Sequence, residues 1–414
     1  MGAPVTVSSD ELAEVQGLYG PFQFPESLLQ KIWLRREIDI ASAHTQCGRR
    51  VEVIHPGRWN RLGGPDFKHA RLRLNGVETT GDIELHLRAE DWRHHGHHRD
   101  PAYDQVVLHV VLWSGPDPRT EQSAGRSIPT LALLPLLLYP LEEYAADAVV
   151  ERLADRACTR ATEELLTLPD QERRKTLRLH AAARWKQKVS YLKRRIDRLG
   201  WTDACHHTAL EILGYRHNRA PMFRIAQRWP LNAWQADPSP VAEACAGETG
   251  RWSMQGVRPA NHPATRLRQY AQWTRAVPDW PALFLDAAAV RALSGIFPAD
   301  APVNPETGSR AFRSSTGITR TRAHIFQHWC GAAFGGPRLD TLICNLLLPA
   351  LSFQSNADGA QALWLHWYAG DLPPHIAQSL RDLDLLSYEQ PICHGLVQGL
   401  LGWWIDHESS SMKR

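Results

Sequence analysis

Cysteine is scarce and dispersed: seven residues, at 47, 158, 205, 245, 330, 344 and 393, with no C-x-x-C pair among them. An odd, widely spaced set argues against a disulfide framework and against a cysteine zinc knuckle, and a reducing cytoplasm is the expected compartment. Long apolar runs are also missing. The longest, Ile128 to Leu141, is interrupted by Pro129, Pro135 and Pro140 and falls short of the ~18–20 residues that a membrane span requires. The first residues, MGAPVTVSSDELAE, lack a basic stretch followed by an apolar one, so no secretory signal is expected. No repeat recurs at a fixed period. Net charge is small as well, at +3, too little by itself to imply a polyanionic partner.

Apolar residues at 43% and charged residues at 22% suit an ordinary globular chain. Its 414 residues exceed the ~250–300 that one core usually serves, so more than one domain is expected. Charge is unevenly distributed: Gln171 to Arg228 holds fifteen Lys/Arg against four Asp/Glu, whereas Asp358 to His407 holds six acids and one Arg. Such asymmetry bears on association and leaves the fold open.

Hydrophobic periodicity divides the chain. Pro25 to Ile40 has helical spacing, with Pro25 suited to a first turn. Four segments of strand character follow, RRVEVIH (49–55), HARLRLNG (69–76), GDIELHLRA (81–89) and DQVVLHVVLW (104–113), with Gly76 and Gly81 marking turns. Gly115 to Ser127 reads as a loop, and Ile128 to Leu138 closes the first domain. Beyond Leu141 the period is helical, most clearly where Trp185, Val189, Leu192, Ile196 and Leu199 line one face of a basic helix. The expected organisation is an arm over 1–20, an α/β domain over 21–140, a basic helical region over 141–235 and a C-terminal helical domain over 241–414. The fold class is therefore α+β.

Strand GDIELHLRA is the chemically distinctive segment. Alternation puts Ile83, Leu85 and Leu87 on one side and Asp82, Glu84 and His86 on the other. Three ionisable groups on a strand flanked by apolar strands are costly to bury unpaired, so a metal, a basic partner or water must compensate them. The plainer alternative is a solvated face paired with Arg71 or Arg73. Upstream, Gly63-Gly64-Pro65 forces a turn and delivers Asp66 to the start of a strand, where it is able to face Glu84; as a plainer reading, Asp66 caps turn amides. Two carboxylates with waters make a hard-oxygen site for Mg²⁺ or Mn²⁺, and His86 is placed to handle a water or a phosphate. Glu37, Glu52 and Asp82 are candidate auxiliary ligands.

The element order, helix, three strands, short connection, strand, with Pro65-Asp66 and then Glu84-Leu85-His86, resembles the PD-(D/E)xK nuclease superfamily. That resemblance implies a restriction-endonuclease-like core and metal-dependent cleavage of phosphodiester bonds, with Asp66 and Glu84 on the metal and His86 where lysine is usual. A longer resemblance rests on HPGxxN (55–60), GPDF (64–67), GDIELH (81–86), DWRHHGHHRDPAYDQVVLHVV (91–111), RPANHPATRL (258–267) and LICNLLLP (342–349). These blocks are similar to the bacterial family known only as domain of unknown function 2851, which implies a shared architecture without supplying a reaction.

Six of the twenty histidines fall between His86 and His109. A zinc or iron site drawing on His94, His97 and His109 therefore rivals carboxylate-bound magnesium, and a polar loop without metal rivals both. On the basic helix, Lys186, Arg194, Arg195 and Arg198 are candidates to contact nucleic-acid phosphates, because Asp197 is the only acid between Lys175 and Arg198; an ordinary solvated face is the alternative. Arg58 with Asn60, and Arg258 with Asn261, are candidate ligand contacts, the first pair toward nucleic acid, or simply loop hydrogen bonders. Metal-dependent nucleic-acid cleavage is the favoured expectation. A degenerate module binding nucleic acid or protein, and a histidine-ligated metalloenzyme, are the alternatives.

Overall fold

The structure, a computed structural model, describes residues 12–17, 20–115, 120–155, 158–215, 218–236, 257–286, 309–353, 357–386 and 391–411, with scattered positions between 241 and 254. These divide into two compact units, one ending at Ala148 and one beginning at Val149. The stretch between the two helical regions expected over 141–235 and 241–414 lies mostly outside the described residues. Among the described residues no helix is long and apolar enough to cross a membrane.

The first unit is mixed α and β. A hairpin, β1 (Leu12–Gly17) with β2 (Gly20–Pro25), occupies part of the stretch read from sequence as an arm, and leads directly into α1 (Glu26–Arg35). Helix α1 is shorter than its periodicity suggested. Arg36 turns left-handed (φ 55°) and its N–H caps the carbonyls of Ile32 and Trp33, which ends the helix well before Ile40. Leu28, Leu29, Ile32 and Trp33 are its buried face.

Strands β3 (Val51–His55), β4 (Arg58–Trp59), β5 (Phe67–Leu74), β6 (Val77–Arg88), β7 (Val106–Trp113) and β10 (Thr130–Ala132) form one sheet. Its spatial order is β10, β7, β6, β5, β3, with β4 added beside β5. The β3, β5 and β6 strands are antiparallel neighbours, whereas β7 and β10 run parallel to β6. Crossing from β6 to a parallel β7 requires a connection over the sheet, and here short α2 (Asp91–His94) and two single 3₁₀ turns supply it. A separate ribbon, β8 (Thr120–Glu121) with β9 (Ser127–Ile128), lies between β7 and β10 in sequence. Ile83, Leu85 and Leu87 of β6 face a core shared with Leu29, Ile32, Leu108, Val110 and Leu112.

One irregularity shapes the site. Between Phe67 and Ala70, β5 holds one residue more than β6 does opposite it, and His69 sits at φ 57°. Such a bulge bends the strand. Asp82 Oδ1 accepts the His69 N–H at 3.0 Å and so occupies the donor that the bulge frees.

The second unit is helical. Helix α3 (Leu141–Asp155) carries the chain into it, and α4 (Thr159–Leu166), α5 (Asp170–Leu199) and α6 (Trp201–Gly214) lead to further helices that include Arg219–Arg228, Pro263–Ala276, Gly336–Leu342 and His394–Ser411. Trp185 and Leu192 of α5 are buried and Val189 and Ile196 pack against the same core, as the spacing indicated. Glycines let His394–Ser411 lie close on α5: a Cβ on Gly399 would collide with the Leu177 carbonyl oxygen. Most of the fully buried tryptophans, including Trp234, Trp273, Trp280, Trp364 and Trp404, fill this unit.

Candidate metal centre

Asp66 and Glu84 meet on neighbouring strands. The Asn60–Asp66 loop is tied by the Asn60 amide, which donates to the carbonyls of Gly63 (3.2 Å) and Pro65 (2.9 Å), and by the Asn60 N–H on the Asp66 carbonyl (2.7 Å). Asn60, expected to touch a ligand, instead shapes the turn that presents Asp66. The Asp66 N–H donates to Glu84 Oε2 at 2.9 Å, and Asp66 Oδ2 accepts the Leu85 N–H at 3.0 Å. Gln30 on α1 donates to Asp66 Oδ1 at 2.7 Å. No arginine among the described residues engages this pair. Arg71 pairs with Glu78 and Arg73 with Glu52, so neither arginine balances Asp82 or Glu84.

On the other side of Glu84 stand three imidazoles. Glu84 Oε1 lies 3.6 Å from His86 Nε2 and 3.4 Å from His97 Nε2, and His86 Nε2 lies 3.1 Å from His95 Nδ1. One ring nitrogen from each of His86, His95 and His97 falls within 4.8 Å of the other two. Chain geometry explains the convergence. Helix α2 ends at His94 with His95 as its cap, and Gly96 at φ 78° reverses the backbone, so the residues before and after it turn toward β6. Asp91 Oδ2 fixes the start of this turn by accepting the Arg88 N–H at 2.8 Å. Beneath it Trp92 packs on Tyr103, and Tyr103 stacks on His97 with centroids 3.8 Å apart.

A second chain of polar groups runs behind His86. Its Nδ1 is 2.9 Å from His109 Nε2, His109 Nδ1 is 2.8 Å from Thr120 Oγ1, and Thr120 Oγ1 is 3.1 Å from Thr130 Oγ1. All four side chains are buried.

Burial sets the charges. It pushes Asp66 up to about 7 and Glu84 well above the carboxylate range, Glu84 being raised further by the Asp66 charge. The same desolvation, followed by mutual repulsion within the group, holds His86 well below its usual range, His97 at about 4 and His109 at about 3. Burial likewise raises the Tyr103 hydroxyl, with Glu84 adding to it. Neutral imidazole is the form that binds a metal, and a buried carboxylate facing it with no cation at hand is the form that wants one. Nε2 of His97 is buried and takes no hydrogen bond. Ligand atoms ~2.0–2.2 Å from a tetrahedral ion stand ~3.3–3.6 Å from one another, close to the 3.6 Å and 3.4 Å that separate Glu84 from His86 and His97 and to the 3.1 Å between His86 and His95.

Other expected residues go elsewhere. His94 is exposed, with Asp91 as its neighbour at 3.6 Å, and stands outside the cluster. Glu52 is bound to Arg73 at 2.8 Å and lies near Arg50. The Asp82 carboxylate serves the bulge, and the Glu37 carbonyl accepts the Tyr144 hydroxyl at 2.7 Å. His109 stands behind His86 and not among the converging atoms. Arg195 is buried, donating to Glu211 at 3.0 Å and Thr208 at 3.3 Å, so it is not available to a phosphate. Arg58, Lys186 and Arg198 are exposed, whereas Arg194 is half-buried. Sequence reasoning passed over His95, Tyr103, Thr120, Thr130 and Gln30. For His95 a signal was present, since H-G-H with a left-handed glycine brings the flanking residues together.

The sequence model of one family, described as a protein of unknown function (DUF2851), matches residues 26–246, more than half of the chain and all of the site described above. The blocks at 258–267 and 342–349 lie beyond that match. No curated protein and no solved structure matches.

Proposed function

The chain belongs to the DUF2851 family, whose description names no reaction, and from the site itself we propose a metal-dependent hydrolase that cleaves phosphodiester bonds in nucleic acid. His86, His95 and His97 would hold the ion, with Glu84 as an additional ligand or its immediate neighbour. The observation that supports this most directly is the convergence of three imidazole nitrogens, two of them against the Glu84 carboxylate, which has no arginine or lysine against it among the described residues; one of those nitrogens is buried without a hydrogen bond. Histidine nitrogens select Zn²⁺ or a related transition ion over Mg²⁺. Such an ion would acidify a water and stabilise charge on phosphate.

The protein's own groups have separable tasks. His109 and the two threonines orient His86. Asp66, with a pKa of about 7, is suited to take and return a proton near neutrality. Tyr103 fixes the His97 ring by stacking. Phosphodiester as the substrate class is supported by the adjacency of Asp66 and Glu84 at the head of β5 and along β6, the layout that a restriction-endonuclease-like core would have. That adjacency also favours a second reading, in which Mg²⁺ or Mn²⁺ sits between the two carboxylates and the histidines only assist.

Elemental analysis of the purified chain together with a nuclease assay separates the two. About one Zn, Fe, Ni or Co per chain, lost in His97→Ala along with cleavage, supports the histidine centre. Cleavage needing added Mg²⁺ and surviving His97→Ala would favour the carboxylate pair. Absence of any bound or activating ion defeats both.

A further inference from the structure

The RPANHPATRL segment belongs to the helical unit and takes no part in the centre just described, yet two arginines are buried beside it. Arg266, on Pro263–Ala276, is 7% exposed, and Arg338, on Gly336–Leu342, is 3% exposed. Their shared contact is Asn261, whose Oδ1 accepts from Arg266 Nη2 at 2.6 Å and from Arg338 Nη2 at 3.4 Å. Arg266 Nη1 donates to Gln269 at 3.0 Å, and Arg338 Nη1 donates to the Ile212 carbonyl at 2.9 Å. Arg338 also stacks over Tyr215, 4.7 Å from the ring centre.

The charge does not balance. Against two guanidinium groups the described residues of the cluster supply one carboxylate, Asp371, 2.9 Å from Arg338 Nη2 and partly exposed at 27% of its side chain. Asn261 and Gln269 accept hydrogen bonds but bring no charge. The Nε of Arg266 and the Nε of Arg338 are both buried without an acceptor among the described residues. Burial, with repulsion from Arg338 added to it, draws Arg266 down to about 10. Buried cations are ordinarily matched by anions, and the unused Nε–H on each guanidinium is a donor suited to an oxygen of a carboxylate or phosphate.

We propose that Asn261, Arg266 and Arg338 form an oxyanion-binding site in the helical unit, taking a phosphate or carboxylate group that supplies the missing negative charge. The site is independent of the metal centre.

The test is titration of the full chain with inorganic phosphate and, separately, with succinate, at constant ionic strength, read by calorimetry and by the unfolding midpoint. Saturable binding of one equivalent with a raised midpoint is expected for at least one of the two, and which one identifies the group. Arg266→Gln should weaken that binding at least tenfold. Asn261→Asp places a carboxylate between the guanidinium groups, so it should raise the midpoint of the unliganded chain and abolish the response to added anion; it keeps the test decisive if Arg266→Gln fails to fold. Absence of saturable binding to either anion, or binding unchanged in the folded variants, overturns the proposal.

Discussion

His86 Nδ1 lies 2.9 Å from His109 Nε2, both rings fully enclosed, and this contact fixes which nitrogen of His86 is free. For His86 Nε2 to offer a lone pair, Nδ1 must carry the proton and donate it to His109. His109 then carries its own proton on Nδ1 and donates to Thr120, whose hydroxyl is left to donate to Thr130. Thr120→Val removes the acceptor while keeping the shape. Metal affinity should fall about 10- to 100-fold with the fold retained, as read by competition with a chelator of known affinity. Unchanged affinity would mean that the chain behind His86 does not orient it.

His94 and His95 are adjacent in sequence but different in position. His95→Ala should release the metal, whereas His94→Ala should keep it, because His94 is exposed beside Asp91. Metal content after gel filtration of both variants checks this. Equal retention by the two would remove His95 from the ligand set.

Glu84→Gln should abolish hydrolysis and leave the circular dichroism spectrum unchanged. The amide keeps the volume of a residue packed between Asp66 and His97 while losing the negative charge that faces the imidazoles. Retained turnover would show that the carboxylate has no part in the chemistry.

The helical unit should be sensitive to acid. Burial holds His206 and His394 at about 3, His206 with its ring between the Tyr270 hydroxyl (2.5 Å) and the Trp229 carbonyl (2.8 Å). Both fold as neutral rings but become charged in the unfolded chain below the ordinary histidine value of about 6.5. Their folded values are depressed, so stability is fully present above about pH 6.5 and is lost as pH falls toward 3, by about 1.4 kcal/mol per pH unit for each ring. Urea midpoints between about pH 7.5 and 4.5, a window that spans this loss, measure it, and His206→Asn should flatten the slope. A flat wild-type profile would contradict the assignment.

Arg195 and Arg198 should separate structure from surface. Arg195→Ala strips buried Glu211 of the guanidinium on one of its oxygens, leaving Arg219 on the other, and should cost about 3 kcal/mol in urea unfolding. Arg198→Ala, on an exposed position, should change stability by less than about 0.5 kcal/mol. Should α5 contact nucleic acid, Arg198→Ala would also lower the salt dependence of binding.

Periodicity in the sequence was enough for β3, β5, β6 and β7, for the apolar stripe of α5 and for the change from strand to helix after Leu141, because side-chain alternation is a property of neighbouring residues; it did not show the β1–β2 hairpin, β4 or the β8–β9 ribbon, which are set by pairing. The pattern of β6 likewise placed Asp82, Glu84 and His86 on one side before any strand pairing was known. What those residues do was decided by contacts across the sheet. Asp82 serves the bulge because β5 has an extra residue opposite it, Arg73 turns to Glu52 because register sets that pair, and Arg71 reaches diagonally to Glu78. His95 joins the cluster, and His94 does not, through one left-handed glycine and the parallel pairing of β6 with β7. Sequence names which groups are able to ionise or bind; only the fold sets their distances and their burial, and those determine which of them meet.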